Sequence, residues 1–201
     1  MAYSDFTLED LETKHGLKTN IKSLFSNITF VKPSEFLLEQ LAVSQEFPMR
    51  NEKIKSELLV MPILAFVKMR NRDFAQLFSG ENLLADKKAK LNGEVDYIWV
   101  GKANALELQK PIISLCEAKK GSIEDSFAQC AAQMYGARVY NQNRKNNIHD
   151  IYGCISSGTD WQFMQLEGQT IWKDKNIYTL SNLPELLGVW QIVIDFFRDK
   201  V

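Results

Sequence analysis

Ile112-Ile113-Ser114-Leu115-Cys116-Glu117-Ala118-Lys119 reads as a strand that ends in charge. Up to Cys116 it is apolar on both faces, the pattern of a central strand covered on both sides. Side chains alternate along a strand, so Glu117 and Lys119 point one way while Ala118 faces back. Glu and Lys are rarely buried without a partner, and two of them closing a covered strand mark a candidate site. A second acid-bearing strand precedes it, Gly93-Glu94-Val95-Asp96-Tyr97-Ile98-Trp99-Val100. There Val95, Tyr97 and Trp99 are expected on one face, leaving Asp96 beside Ile98 on the other. Asp96, two residues after Glu94, supplies hard carboxylate oxygen of the kind Mg²⁺ takes.

Working outward, 201 residues with 45% hydrophobic and 24% charged side chains suffice for one real core, so one soluble domain is expected, and the helical and strand periods described below make that domain α/β. The net charge of -1 lacks the basic excess of proteins that hold nucleic acid by bulk electrostatics, and any such contact must come from a local patch. Cys116, Cys130 and Cys154 lie far apart with no C-x-x-C spacing, which favours buried thiols in a reducing compartment over disulfides or zinc. Met1 to Phe6 shows no basic n-region, and the longest apolar run, Leu58 to Val67, is interrupted by Pro62 and too short for a bilayer; a cytoplasmic location is expected. With only His15 and His149, histidine-rich metal sites are excluded.

The periodicity predicts helices at Leu8 to His15, Pro33 to Val43 and Asn51 to Asn71, the last kinked by Pro62 and carrying Glu57 near its inward face. A strand is expected at Ile28 to Val31. Strands follow at Leu77 to Ala85, Val95 to Val100 and Ile112 to Ala118, with the Lys87, Lys88 and Lys90 tract as the first turn. Gly121-Ser122 closes the third strand, and Ser122 with Glu124 and Asp125 starts a helix that runs to about Asn141. Later strands are expected at Ile151 to Ser157, Gln162 to Glu167 and Ile177 to Leu180. A final amphipathic helix carries Leu183, Leu187, Trp190, Ile194 and Phe197.

Asp96, then Glu117-Ala118-Lys119 on the next apolar strand, between a helix bearing Glu57 and a helix bearing Gln129, resembles the PD-(D/E)XK nuclease signature. The resemblance spans about Asn51 to Gly158, and Val95-Asp96 stands where the signature reads Pro-Asp. It implies a restriction-endonuclease-like core, a central mixed β-sheet flanked by helices in the order α-β-β-β-α-β. Residues 1–50 would be an accessory layer, 51–158 the core and 159–201 C-terminal strands and a helix. It further implies hydrolysis of phosphodiester bonds in nucleic acid, DNA before RNA, with Mg²⁺ (or Mn²⁺), and leaves a homodimer open. Asp96, Glu117 and the Ala118 carbonyl would hold the ion, and Lys119 would activate the attacking water. Glu57 would complete or orient the metal site, and Gln129 would contact the scissile phosphate or the water. Some branches carry a tyrosine four residues after that glutamine; here the position is Gln133.

Plainer readings stand beside these. Asp96 could end a ladder, Glu117 and Lys119 could be a structural ion pair, and Glu57, Gln129 and Gln133 could be ordinary helix-border residues. The Lys87 to Lys90 tract and the Arg138 to Lys145 stretch with Arg144 are either solvated surface or local phosphate-binding patches. The alternative function is a catalytically silent relative that binds nucleic acid or protein, and the third reading is a purely structural domain.

Overall fold

The computed structural model describes residues 3–119 and 123–201. Seven strands among them form one mixed sheet: β1 (Lys18–Lys22), β2 (Gln76–Asp86), β3 (Leu91–Val100), β4 (Ile112–Ala118), β5 (Ile151–Ser156), β6 (Asp160–Glu167) and β7 (Thr170–Thr179). Their order across the sheet is β1-β7-β6-β5-β4-β3-β2. Only β1 with β7 and β4 with β5 pair in parallel. Every residue of β4 and β5 is buried, as a covered central pair requires.

The helices are α1 (Leu8–His15), α2 (Glu35–Ser44), α3 (Glu52–Lys55), α4 (Met61–Arg70), α5 (Phe127–Asn143) and α6 (Leu183–Arg198). One sheet face packs Leu37 of α2, Leu64 of α4 and Trp190 of α6 against Trp99, Cys116 and Phe163. The other packs Leu11 of α1 and the α5 residues Phe127, Cys130 and Met134 against Ile98, Leu115 and Ile155. Parallel neighbours need a crossover, and α5 supplies it between β4 and β5. Gly153 on β5 lets it lie close, because a Cβ there would collide with Met134.

Several expectations change. Ile28 to Val31 is an extended segment, not a strand: Val31 N–H donates to Pro184 O at 2.9 Å and Ile28 packs against the core beneath α6, with no partner strand in the sheet. β1 was not expected, since Lys-Thr-Asn-Ile-Lys shows no alternation; it is an exposed edge strand held by main-chain pairing to β7. Ile177 to Leu180 is only the end of the longer β7, and β3 begins already at Leu91. Gly121 and Ser122 lie outside the described residues. Cys116, Cys130 and Cys154 are free and buried.

Pro62 neither ends nor breaks its helix. Residues 52–70 run through a π-helical turn, Ser56–Val60, with Pro62 in the first turn of α4. Pro has no N–H and its ring crowds the carbonyl four residues earlier; the wider turn, in which Met61 N–H reaches Ser56 O, gives that ring room. The extra residue has a second effect. It rotates everything before it by about 100° relative to an α-helix of 3.6 residues per turn, so the face read from Ile54, Leu58, Met61 and Ala65 is not continuous.

Candidate active site

The site forms where β3 and β4 part. Tyr97 opposite Cys116 is their last paired rung at this end, and beyond it the Asp96 carboxylate bridges the gap, its Oδ2 accepting Ala118 N–H at 2.7 Å. From the other side, β5 holds the same chain end, with Lys119 N–H donating to Ser156 O at 2.8 Å. Val95 does not alternate with Tyr97 and Trp99 as expected; it joins Ile98 and Val100 in the α5-side core. The break falls at Asp96, opposite Gly80, whose φ of +67° is a conformation that L side chains rarely adopt.

Glu117 points towards α5 and is 3% exposed. Gln129 Nε2 donates to its Oε1, Gln133 Nε2 donates to its Oε2 at 2.8 Å, and Lys119 Nζ lies 2.9 Å from Oε1. Burial pushes the Glu117 carboxyl up to about 7; Asp96 adds to the rise, while Lys119 and Gln133 oppose it. Asp96 is also raised, first by burial and then by Glu52 and Glu94, against the Ala118 N–H and Lys119. Burial acts to lower the Lys119 pKa, but Glu117, Glu52 and Asp96 together outweigh it and hold the ammonium above its ordinary value. The pair is therefore unequal. Lys119 keeps 20% side-chain exposure and a stabilised charge, whereas desolvation of the more deeply buried Glu117 exceeds the attraction it feels.

Asp96 and Ala118 open onto a cleft of about 430 Å³ between β2, β3 and the helix that starts at Glu52. Its wall carries four acids, Glu52, Glu57, Glu94 and Asp96, against Lys53. The Tyr97 hydroxyl fastens this helix to the sheet, donating to Ser56 O at 3.1 Å and lying 2.6 Å from Ser56 Oγ. Glu117 and Lys119 stand behind the Asp96 wall, off the cleft surface.

Glu57 is not on an inward face. It is 61% exposed on the cleft rim, 3.9 Å from Lys53 Nζ, because it sits in the π turn that shifts the helical phase. The helix acid that approaches Lys119 is Glu52, 4.0 Å from its Nζ. Sequence reading missed it, although Asn51, whose side chain caps Ile54 N–H at 2.9 Å, marks the helix start and places an acid in its first turn. Of Gln129 and Gln133, one turn apart, the sequence favours Gln129 alone as a site residue; both side chains reach one target, Glu117. The Arg138 to Lys145 stretch splits. Arg138 is a buried strut, donating to His149 O at 2.8 Å and Gly168 O at 2.6 Å, and is not available as a phosphate patch.

Among the described residues, no group of three or more His, Cys, Asp or Glu is placed to hold a metal ion. The set that the resemblance implies is smaller, two carboxylates and a carbonyl, all hard oxygens. It fits a divalent cation in charge: Asp96 and Glu117 both have raised pKa values, Asp96 adds to the rise at Glu117, and Lys119, 2.9 Å from Glu117, opposes both. It fits less well in bonding, because both Glu117 oxygens already accept donors. No helix among the described residues is long and apolar enough to cross a membrane. In comparison with known proteins, the chain matches no family model and no curated protein.

Proposed function

We propose that the protein is a Mg²⁺- or Mn²⁺-dependent nuclease of restriction-endonuclease-like fold. The observation that carries this reading is the convergence of Asp96, Glu117 and Lys119 around Ala118 at the end of β4, next to an acid-walled cleft. Asp96, Glu117 and the Ala118 carbonyl would hold the ion, which would polarise the phosphate and bind the water that attacks it. Lys119 holds a proton on Nζ beside the Glu117 carboxylate and would orient that water. Glu52 supports the lysine's charge, and Gln129 and Gln133 fix the Glu117 carboxylate in place. Tyr97 keeps the cleft wall in register with Asp96 through Ser56.

The test is a cleavage panel of single- and double-stranded DNA and RNA with Mg²⁺, Mn²⁺ or chelator, read beside calorimetric metal titration. The parent should cleave only with metal. Asp96→Asn should lose metal binding and cleavage together. Lys119→Ala should keep most of the metal affinity while turnover falls by about 10²- to 10⁴-fold, the range for a lost proton-transfer group. Equal metal heats from parent and Asp96→Asn would remove the site.

One observation favours a second reading, a catalytically silent module that binds nucleic acid or protein. Glu117 is sealed behind the cleft with both oxygens engaged, as a purely architectural carboxylate would be. Absence of metal binding by the parent would select it.

A further inference from the structure

The cleft is acidic, yet cations gather at one other place in the same strand pair. The β2–β3 turn is built by Asp86, whose Oδ1 accepts the backbone N–H groups of Lys88 and Ala89 at 2.8 and 3.0 Å, and Lys90 completes it with φ of 61°. A side chain that closes its own turn fixes the backbone from which the lysines project. The turn meets the C-terminal end of α1. There Lys14, His15, Lys88 and Lys90 surround a cavity of about 280 Å³ bounded by Phe6 and Ala89.

The local charge is unbalanced. Lys14 is paired with Asp10 at 2.5 Å, but Lys87, Lys88 and Lys90 have no carboxylate within 4.0 Å among the described residues. Set against Asp10 and Asp86, the four lysines leave an excess of positive charge on a chain whose net charge is -1. Three ammonium groups on one short turn repel each other, and an anion seated between them would turn that repulsion into attraction. His15 adds a hydrogen-bonding ring at the rim, its position set by contact with Tyr135 at 4.7 Å and Phe6 at 5.9 Å between ring centroids.

The distance to the cleft selects the kind of anion. Lys90 precedes Asp96 by six residues, almost all of them in β3, which at 3.3 Å per residue is roughly 20 Å. The turn pocket lies on the α1–α5 face of the sheet and the cleft on the face that carries the helix from Glu52, so a nucleic-acid strand joining them passes round the β2 edge and, at 3.4 Å per nucleotide, needs at least about six nucleotides. We propose that the pocket formed by His15, Lys88 and Lys90 binds a backbone phosphodiester of a nucleic acid whose other end lies in the acidic cleft. Resting on the nuclease reading, this divides the labour: the cleft handles a cation and the scissile phosphate, and the turn supplies the electrostatic hold that the net charge denies.

The experiment uses the full chain in chelator, where nothing is cleaved, with a fluorescent 20-mer oligonucleotide as probe. In Lys88→Ala/Lys90→Ala, affinity should fall about tenfold at low salt. The slope of log affinity against log salt should shrink by about two, one for each phosphate contact removed. Metal affinity at the cleft should not change. Only two histidines are present, so the His15 ring signal can be followed by NMR, and it should shift on addition of the oligonucleotide while His149 stays still. Parent-like affinity and salt slope in the double variant would overturn the proposal, as would an immobile His15 signal. A shift of equal size with inorganic phosphate, without any loss of oligonucleotide affinity in the variant, would make the pocket a small-anion site and also overturn it. If the parent fails to cleave with metal but the double variant still shows the lost affinity and slope, the nuclease reading falls and the phosphodiester site stands.

Discussion

The two ends of α5 bury polar side chains in opposite ways. At its C-terminal end, Asn141 clamps the start of β4: its Oδ1 accepts Ile112 N–H at 2.8 Å, and its Nδ2 donates to Ile112 O at 2.7 Å and Ile148 O at 3.4 Å. This is a neutral group with its bonds made, on a residue of zero exposure. At the N-terminal end, Gln129 and Gln133 reach the end of the same strand, but what they find is a carboxylate that burial disfavours. Gln133 gives its N–H to Glu117 and leaves its Oε1 buried without a partner among the described residues. A satisfied neutral clamp serves the architecture. A charged cluster with an orphaned acceptor costs stability, and such a cost is what functional sites carry.

The contrast can be broken most forcefully at the satisfied end. Asn141→Ala leaves the buried N–H and C=O of Ile112 without their side-chain partner, and unfolding by urea should show a loss of about 3 kcal/mol. A loss under about 1 kcal/mol would deny Asn141 its role as the structural pole of the comparison.

The next effect comes from the charged end and has a definite sign. The Glu117 carboxyl stands at about 7 in the fold against an ordinary value of 4.5. The folded chain therefore keeps a proton that the unfolded chain has lost, and metal-free stability should fall as pH rises from about 4.5 to 7. For one group moved this far, the change is on the order of 3 kcal/mol at most. Asp96, raised in the same direction, adds to the slope. Denaturant midpoints in chelator across this window check it. Glu117→Gln should flatten the profile, and a parent profile already flat would mean that the carboxylate carries no such burden.

The smallest effect sharpens the comparison. Gln133→Met removes one donor from Glu117 and the orphaned oxygen with it, so stability should change by under about 1 kcal/mol. The Glu117 titration midpoint, followed by carboxyl NMR, should move further up, because the hydrogen bond from Gln133 lowers it. An unmoved midpoint would leave Gln133 as packing.

The central strands and the large helices were legible because their signals are strong: β4 is apolar up to Cys116 apart from Ser114, and α6 repeats its apolar residues at helical spacing over four turns. Glu117 and Lys119 were legible for the same reason, as charges in an apolar context. What escaped had no local signal. β1 is polar and exists by pairing with β7, and Glu52 reaches Lys119 only because a π turn rephases the helix behind it. Arg138 reads as surface charge and is a buried strut, since its partners are carbonyls remote in sequence.

The π turn has one more consequence. It makes the helix from Glu52 to Arg70 one residue longer than its span demands, like a calendar with a leap day. Removing a single residue between Ser56 and Val60 would restore an ordinary helix, yet swing the segment before it by about a quarter turn and carry Glu52 away from Lys119. Residue count, and not only residue identity, is thus part of what aligns the cleft.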